Sequence, residues 1–157
     1  PENGFLKTSK SLQKPGGEFS SEFHTYSLEW TPQKLTTFVD GQVLLEVDMA
    51  TQSFWDKGGW NGTSFDNPWE GRKNNAPFDQ PFYLIMNVAV GGTSGFFPDG
   101  YPGKPWSNTS PNAVNQFYDA SGSWLPSWEL NNSAHPSAMK VDFVKFYCLP
   151  EVEGSCP

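Results

Sequence analysis

Glu46 and Asp48 stand two residues apart in the run Leu44-Leu45-Glu46-Val47-Asp48-Met49-Ala50, and carboxylates at that spacing are the first chemistry the chain offers. On a β-strand, residues i and i+2 point the same way, so both acids would share one face. Two carboxylates flanking one sugar linkage, about 5 Å apart, can cleave it with one acting as nucleophile and the other as acid and base. Other residue types offer less. A zinc centre needs clustered His and Cys, and His24 and His135 stand alone. No Gly-x-Ser-x-Gly elbow occurs, and Gly58-Gly59 and Gly91-Gly92 lack the spacing and following helix of a phosphate loop. Glu70 follows Pro68-Trp69 in a loop, and Asp99 and Asp119 fall in loops with no nearby partner in sequence.

The elements that must position these groups read as β. Phe23 to Trp30 alternates with period two, putting His24, Tyr26, Leu28 and Trp30 on one face before Thr31-Pro32 ends the run. Leu35–Val39 and Gln42–Asp48 flank Asp40-Gly41, a hairpin signal, because both residues tolerate the positive φ of a type I′ turn. Residues 51–80 form a long Gly/Asn/Pro/Trp segment with Trp55, Trp60 and Trp69; loops of that length tend to be functional. Pro81–Gly92 is the most apolar run and reads as a central strand. Residues 93–137 are again loop-rich, with a helical turn over Asn112–Tyr118, and Met139–Leu149 reads as a last strand. The pattern is antiparallel all-β with long loops. It divides into a lead-in segment (1–22), a β-sandwich part (23–149) and a tail (150–157).

The chain has 157 residues and a formal charge of −7, which argues against nucleic acid and anionic membrane surfaces as partners. Aromatics make up 16% of it, including seven Trp. These rings serve a β-rich core, or platforms on which the C–H faces of sugars pack. No apolar run is long enough to span a bilayer. No signal peptide opens the chain, so a mature or truncated form is expected. Cys148 and Cys156 lack redox spacing, and a disulfide closing the tail suits an oxidising compartment. The glycosylation sequons at Asn61, Asn108 and Asn131 point the same way, to secretion. Within the central strand Asn87 interrupts an otherwise hydrophobic run; buried there it needs partners, which a hydroxyl-rich ligand cleft would supply.

Several stretches, in order, resemble one family. Phe23-His24-Thr25-Tyr26-Ser27-Leu28-Glu29-Trp30-Thr31-Pro32 and Phe38-Val39-Asp40-Gly41 are followed by Phe54-Trp55-Asp56-Lys57-Gly58-Gly59 and Asn67-Pro68-Trp69. Ala76 to Gly92, Pro105-Trp106-Ser107-Asn108-Thr109-Ser110-Pro111, Ser123-Trp124-Leu125-Pro126-Ser127-Trp128 and Val141 to Tyr147 complete the set. Together, over residues 23–148, they resemble the laminarinase-type branch of glycoside hydrolase family sixteen. The animal members of that branch include secreted endo-1,3-β-glucanases and catalytically dead β-1,3-glucan recognition proteins of invertebrate immunity.

The resemblance implies a concanavalin-like β-jelly-roll sandwich with a glucan cleft, of which this chain is the C-terminal half. It also implies that the catalytic signature, E-x-D-x-x-E, lies upstream of Phe23-His24-Thr25-Tyr26, in an N-terminal half of the domain that is a partner, on the same chain or a separate one. Reading that signature from Glu46 places Thr51 where the second Glu should stand, and the run is the return strand of a hairpin. No catalytic residue is therefore assigned in this chain. Asn87, Trp69, Trp60 and Trp106 are the expected substrate-binding residues, by hydrogen bonding and stacking. Retaining hydrolysis of β-1,3-glucan is one expected function, and non-catalytic recognition of the same glucan the alternative. The fold admits a structural calcium ion, but no dense oxygen-ligand loop offers it a place, and no other cofactor is expected. Half a jelly roll would leave unpaired ladders.

Overall fold

The computed structural model describes residues 4–14, 17, 19–150 and 152. The chain divides into two compact units, Pro1–Tyr83 with Tyr147–Pro157, and Leu84–Phe146.

The first unit is built on a three-stranded antiparallel sheet of β1 (Tyr26–Trp30), β2 (Lys34–Val39) and β3 (Gln42–Asp48), in that order. Asp40 (φ +49°) and Gly41 (φ +77°) make the turn between β2 and β3, as their tolerance of positive φ predicts. Tyr26 pairs with Val39 and Trp30 with Leu35; Leu35 pairs with Val47 and Thr36 with Glu46. A bulge after Thr37 shifts the β2–β3 register, so that Phe38 faces Val43. Cross-strand partners share a face. Trp30, Leu35 and Val47 therefore lie on one side, and Glu29, Thr36 and Glu46 on the other. Val39, Val47 and Met49 are buried. Trp30 joins Phe78, Phe82 and Phe54 in a four-ring cluster with centroids 5.1–6.5 Å apart. These rings hold the loop after β3 to the sheet.

The turn is also pinned to the residues just before β1. The Asp40 carboxylate accepts the Thr25 N–H at 2.9 Å and sits 2.7 Å from Nδ1 of His24, whose side chain is buried. His24 is thus satisfied by its neighbours as expected, but it stands two residues before β1 and not on the strand.

The second unit is helical and looped. It holds α2 (Ala113–Asp119), α3 (Ser121–Trp124) and a 3-10 turn over Leu125–Trp128. Its interior is a chain of rings: Phe97, Trp106, Phe117, Trp124 and Trp128, with Phe117 and Trp124 stacked at 4.4 Å. The helical turn expected over Asn112–Tyr118 is α2. A further short helix, α1 (Phe54–Lys57), lies in the first unit, inside a segment that reads from sequence as loop.

Two expected strands are not strands. Pro81–Gly92 and Met139–Leu149 join no ladder. Their apolar side chains are exposed on both sides, Phe82, Leu84, Tyr83 and Ile85 among them, and likewise Val141, Phe143 and Phe146. A strand exists through its neighbours' hydrogen bonds, and no flanking strand meets these runs among the described residues. Asn87 shares that exposure and is not the buried amide its run suggests.

Candidate functional site

Glu46 and Asp48 do share the outward face of β3, with Val47 and Met49 buried opposite. Their carboxylates are engaged in structural contacts. Glu46 accepts from Lys34 Nζ at 2.5 Å across the β2–β3 ladder, which holds that ammonium above its ordinary pKa. Asp48 takes the Thr51 hydroxyl and the Ala50 N–H, the latter at 2.8 Å. Those donors, the Thr51 hydroxyl first, hold its pKa below the usual carboxylate range. Thr51, standing where a second glutamate would complete the signature, caps Asp48. The acid needed to protonate a leaving group is missing from this strand.

The loop after β3 builds a polar concavity in the first unit. Ser53 caps α1 by accepting the Asp56 N–H at 3.1 Å, and Asp56 reciprocates by accepting the Ser53 N–H at 3.1 Å. The other oxygen of Asp56 accepts from Nδ2 of Asn61 at 2.5 Å. One carboxylate thus ties the start of α1 to the turn beyond it. Its pKa is lowered, chiefly by the Ser53 hydroxyl and then by Asn61.

The Trp60 ring lies over Gly58, where an added Cβ would stand 2.7–2.8 Å from three ring atoms; only glycine lets the ring approach so closely. Trp55 leans on the same ring at 5.3 Å. Trp60, Asp56, Asn61, Thr63, Asp66 and Glu70 line a cavity of about 480 Å³ whose walls are mostly polar. Carboxylates, amides and a hydroxyl beside an indole suit a polyhydroxylated ligand, with acceptors for its O–H groups and a flat surface for its C–H faces. Among the described residues, no three His, Cys, Asp or Glu gather as metal ligands would.

The other expected binding residues have different settings. Trp69 is half-buried in the same loop; its backbone N–H bonds the Asn67 side chain at 2.9 Å, and no aromatic ring among the described residues packs on its own. In the second unit, Trp106 donates its indole N–H to the Gly92 carbonyl at 2.7 Å, with Lys104 Nζ 5.2 Å from its ring centroid and Phe97 and Phe117 at its edges. Asn87 makes no side-chain hydrogen bond among the described residues.

Asp99 is far from partnerless. It accepts from Lys104 Nζ, the Ser107 hydroxyl and the Asn108 N–H at 2.5, 3.1 and 2.9 Å, and these donors, Lys104 first, lower its pKa. A sequence separation of five to nine residues hides this hub. The signal for α1 is Ser53-x-x-Asp56, a capping box legible in sequence.

Cys148 is disulfide-bonded; its expected partner, Cys156, lies outside the described residues. No helix among the described residues is long and apolar enough to cross a membrane.

The first unit thus joins an antiparallel sheet, whose paired acids are engaged, to a polar cavity beside Trp60, and comparison with known proteins gives the family. The chain belongs to glycosyl hydrolases family 16, whose model matches residues 2–93. It is thus part of a β-jelly-roll domain of that family. A Beta-1,3-glucan-binding protein of Penaeus monodon is 46% identical over 155 residues, covering 98% of this chain and 42% of that protein. Beta-1,3-glucan-binding protein 1 of Manduca sexta is 35% identical, over 83% of this chain and 26% of its own length. Gram-negative bacteria-binding protein 1 of Drosophila melanogaster is 37% identical, over 82% and 24%. The chain therefore spans less than half the length of these relatives. No solved structure matches it.

Proposed function

We propose that this chain is part of a secreted protein that recognises β-1,3-glucan without cleaving it. The observation that carries the reading is its 46% identity, over nearly its whole length, to a protein named for binding β-1,3-glucan. Two features of the site support it. The paired acids of β3 are committed to Lys34 and Thr51. The cavity beside Trp60 offers hydrogen-bond acceptors and an indole, groups that hold a sugar without breaking its linkages. In this reading Trp60 and Trp69 hold the sugars in the first unit, while Asn87 and Trp106 belong to the second and contribute separately. The remainder of the jelly roll is supplied by the N-terminal half of the same domain. No cofactor is required. Membership of a hydrolase family favours a second reading, in which that other half brings the catalytic carboxylates. Calorimetric titration of the intact protein with laminarin tests the proposal: saturable binding is expected, and its absence would overturn both readings.

A further inference from the structure

The three sequons occupy different environments, and the differences sort them. Asn108 is half-buried with its polar groups engaged. Its N–H goes to Asp99 at 2.9 Å, its Oδ1 accepts from Lys104 Nζ at 2.7 Å, and its Nδ2 donates to the Phe97 carbonyl at 3.2 Å. The Lys104 side chain it helps hold is only 2% exposed. A sugar on Nδ2 would have to be accommodated inside this hub, between the Phe97 carbonyl and a buried ammonium that would lose its neutral partner.

Asn131 is the opposite case. It is exposed and makes no side-chain hydrogen bond among the described residues, and neither does Ser133, the sequon hydroxyl two residues on. It follows a sharp turn, with Glu129 in the left-handed region at φ +49°. It stands at the rim of a concavity of about 560 Å³ walled by Leu125, Pro126 and Leu130. An N-linked glycan needs an accessible amide on a surface turn. Here its first sugars would also lie against apolar side chains that otherwise face water, Leu130 being 61% exposed. Asn61 is intermediate, exposed but bonded through Nδ2 to Asp56.

We infer that Asn131 carries an N-linked glycan covering the Leu125–Pro126–Leu130 surface, and that Asn108 is an unmodified structural residue despite its sequon. This rests on passage through the secretory pathway, part of the function proposed above, so the test supplies that passage directly. The intact protein is expressed in insect cells behind a secretion leader, released from its glycans enzymatically in heavy-oxygen water, and mapped by peptide mass. The tag is expected on most copies of the Asn131 peptide and on none of the Asn108 peptide. An untagged Asn131, or a tagged Asn108, overturns the inference.

Variants give a second measurement. Asn131→Gln should remove the electrophoretic shift of one glycan, and Asn108→Gln should remove none. Peptide mapping uses the unmutated protein, so its result stands even where Asn108→Gln fails to fold. Loss of laminarin binding would count against the proposed function and not against the glycan.

Discussion

Gly58→Ala is the sharpest probe of the cavity loop. Gly58 has φ −71° and ψ −13°, ordinary helical values, so alanine meets no backbone penalty there. What it meets is the Trp60 ring, 2.7 Å from the new Cβ, which must retreat by about 0.7 Å to reach the ordinary contact distance of 3.4 Å. Overpacking of this kind costs about 1–3 kcal/mol. Against it stands the gain of about 0.4–1 kcal/mol that alanine brings by restricting the unfolded chain. A net loss of about 1–2 kcal/mol is expected in thermal melts of the intact protein, with a shift in tryptophan emission as the ring leaves its seat. If the displaced ring gives up about 1 kcal/mol of stacking on the sugar, laminarin binding weakens roughly fivefold. The control is the same change in a Trp60→Ala background, where the three atoms nearest the new Cβ are gone and Gly58→Ala should stabilise by about 0.4–1 kcal/mol. If Gly58→Ala stabilises the unmutated background as well, the ring does not lie over Gly58, and the picture of a preorganised Trp60 fails.

Further outcomes follow from the same contacts. Glu46→Gln and Asp48→Asn should leave laminarin binding unchanged in calorimetry; a severalfold loss would return the β3 acids to the site. Trp69→Ala should weaken laminarin binding severalfold with the fold intact and only a modest loss in the melt, since Trp69 is half-buried but no aromatic ring among the described residues packs on it. Unchanged affinity would remove Trp69 from the site. Trp124→Ala should cost about 2 kcal/mol in thermal denaturation, below the roughly 3–5 kcal/mol of a fully buried aromatic, because the ring stacked on Phe117 is half-buried. Asp40, Asp48, Asp56 and Asp99 all have folded pKa values held below their unfolded ones. Their contribution is therefore fully present above the unfolded value of about 4 and disappears as pH falls through the folded values. The melting temperature should be flat above about pH 5 and fall below about pH 4, with a shallower fall in Asp99→Asn.

The hairpin is legible in sequence because its determinants are local. Asp40-Gly41 dictates the turn, and period-two alternation dictates which side of β3 carries Glu46 and Asp48. The grounds for setting those acids aside are equally local, namely Thr51 and the hairpin. Helix α1 is also written locally, in Ser53 and Asp56, but the surrounding glycines and asparagines mask it. What stays hidden depends on distant partners. The runs at Pro81–Gly92 and Met139–Leu149 have strand composition, yet composition supplies no ladder, and without one their apolar side chains stand exposed and Asn87 with them. Asp99 looks idle in sequence because the loop that closes Lys104, Ser107 and Asn108 around it leaves no periodic trace. Trp60 is a candidate from its type alone; that Gly58 seats it and Asp56 braces its neighbour Asn61 emerges only in the folded loop.

Recognition without cleavage is tested most directly by one measurement: reducing ends released from laminarin by the intact protein, at a concentration where calorimetry shows the glucan bound. Saturation with no increase in reducing ends over the buffer blank is the predicted result. Steady release of reducing ends from the bound glucan would contradict it and would place working carboxylates in the rest of the domain.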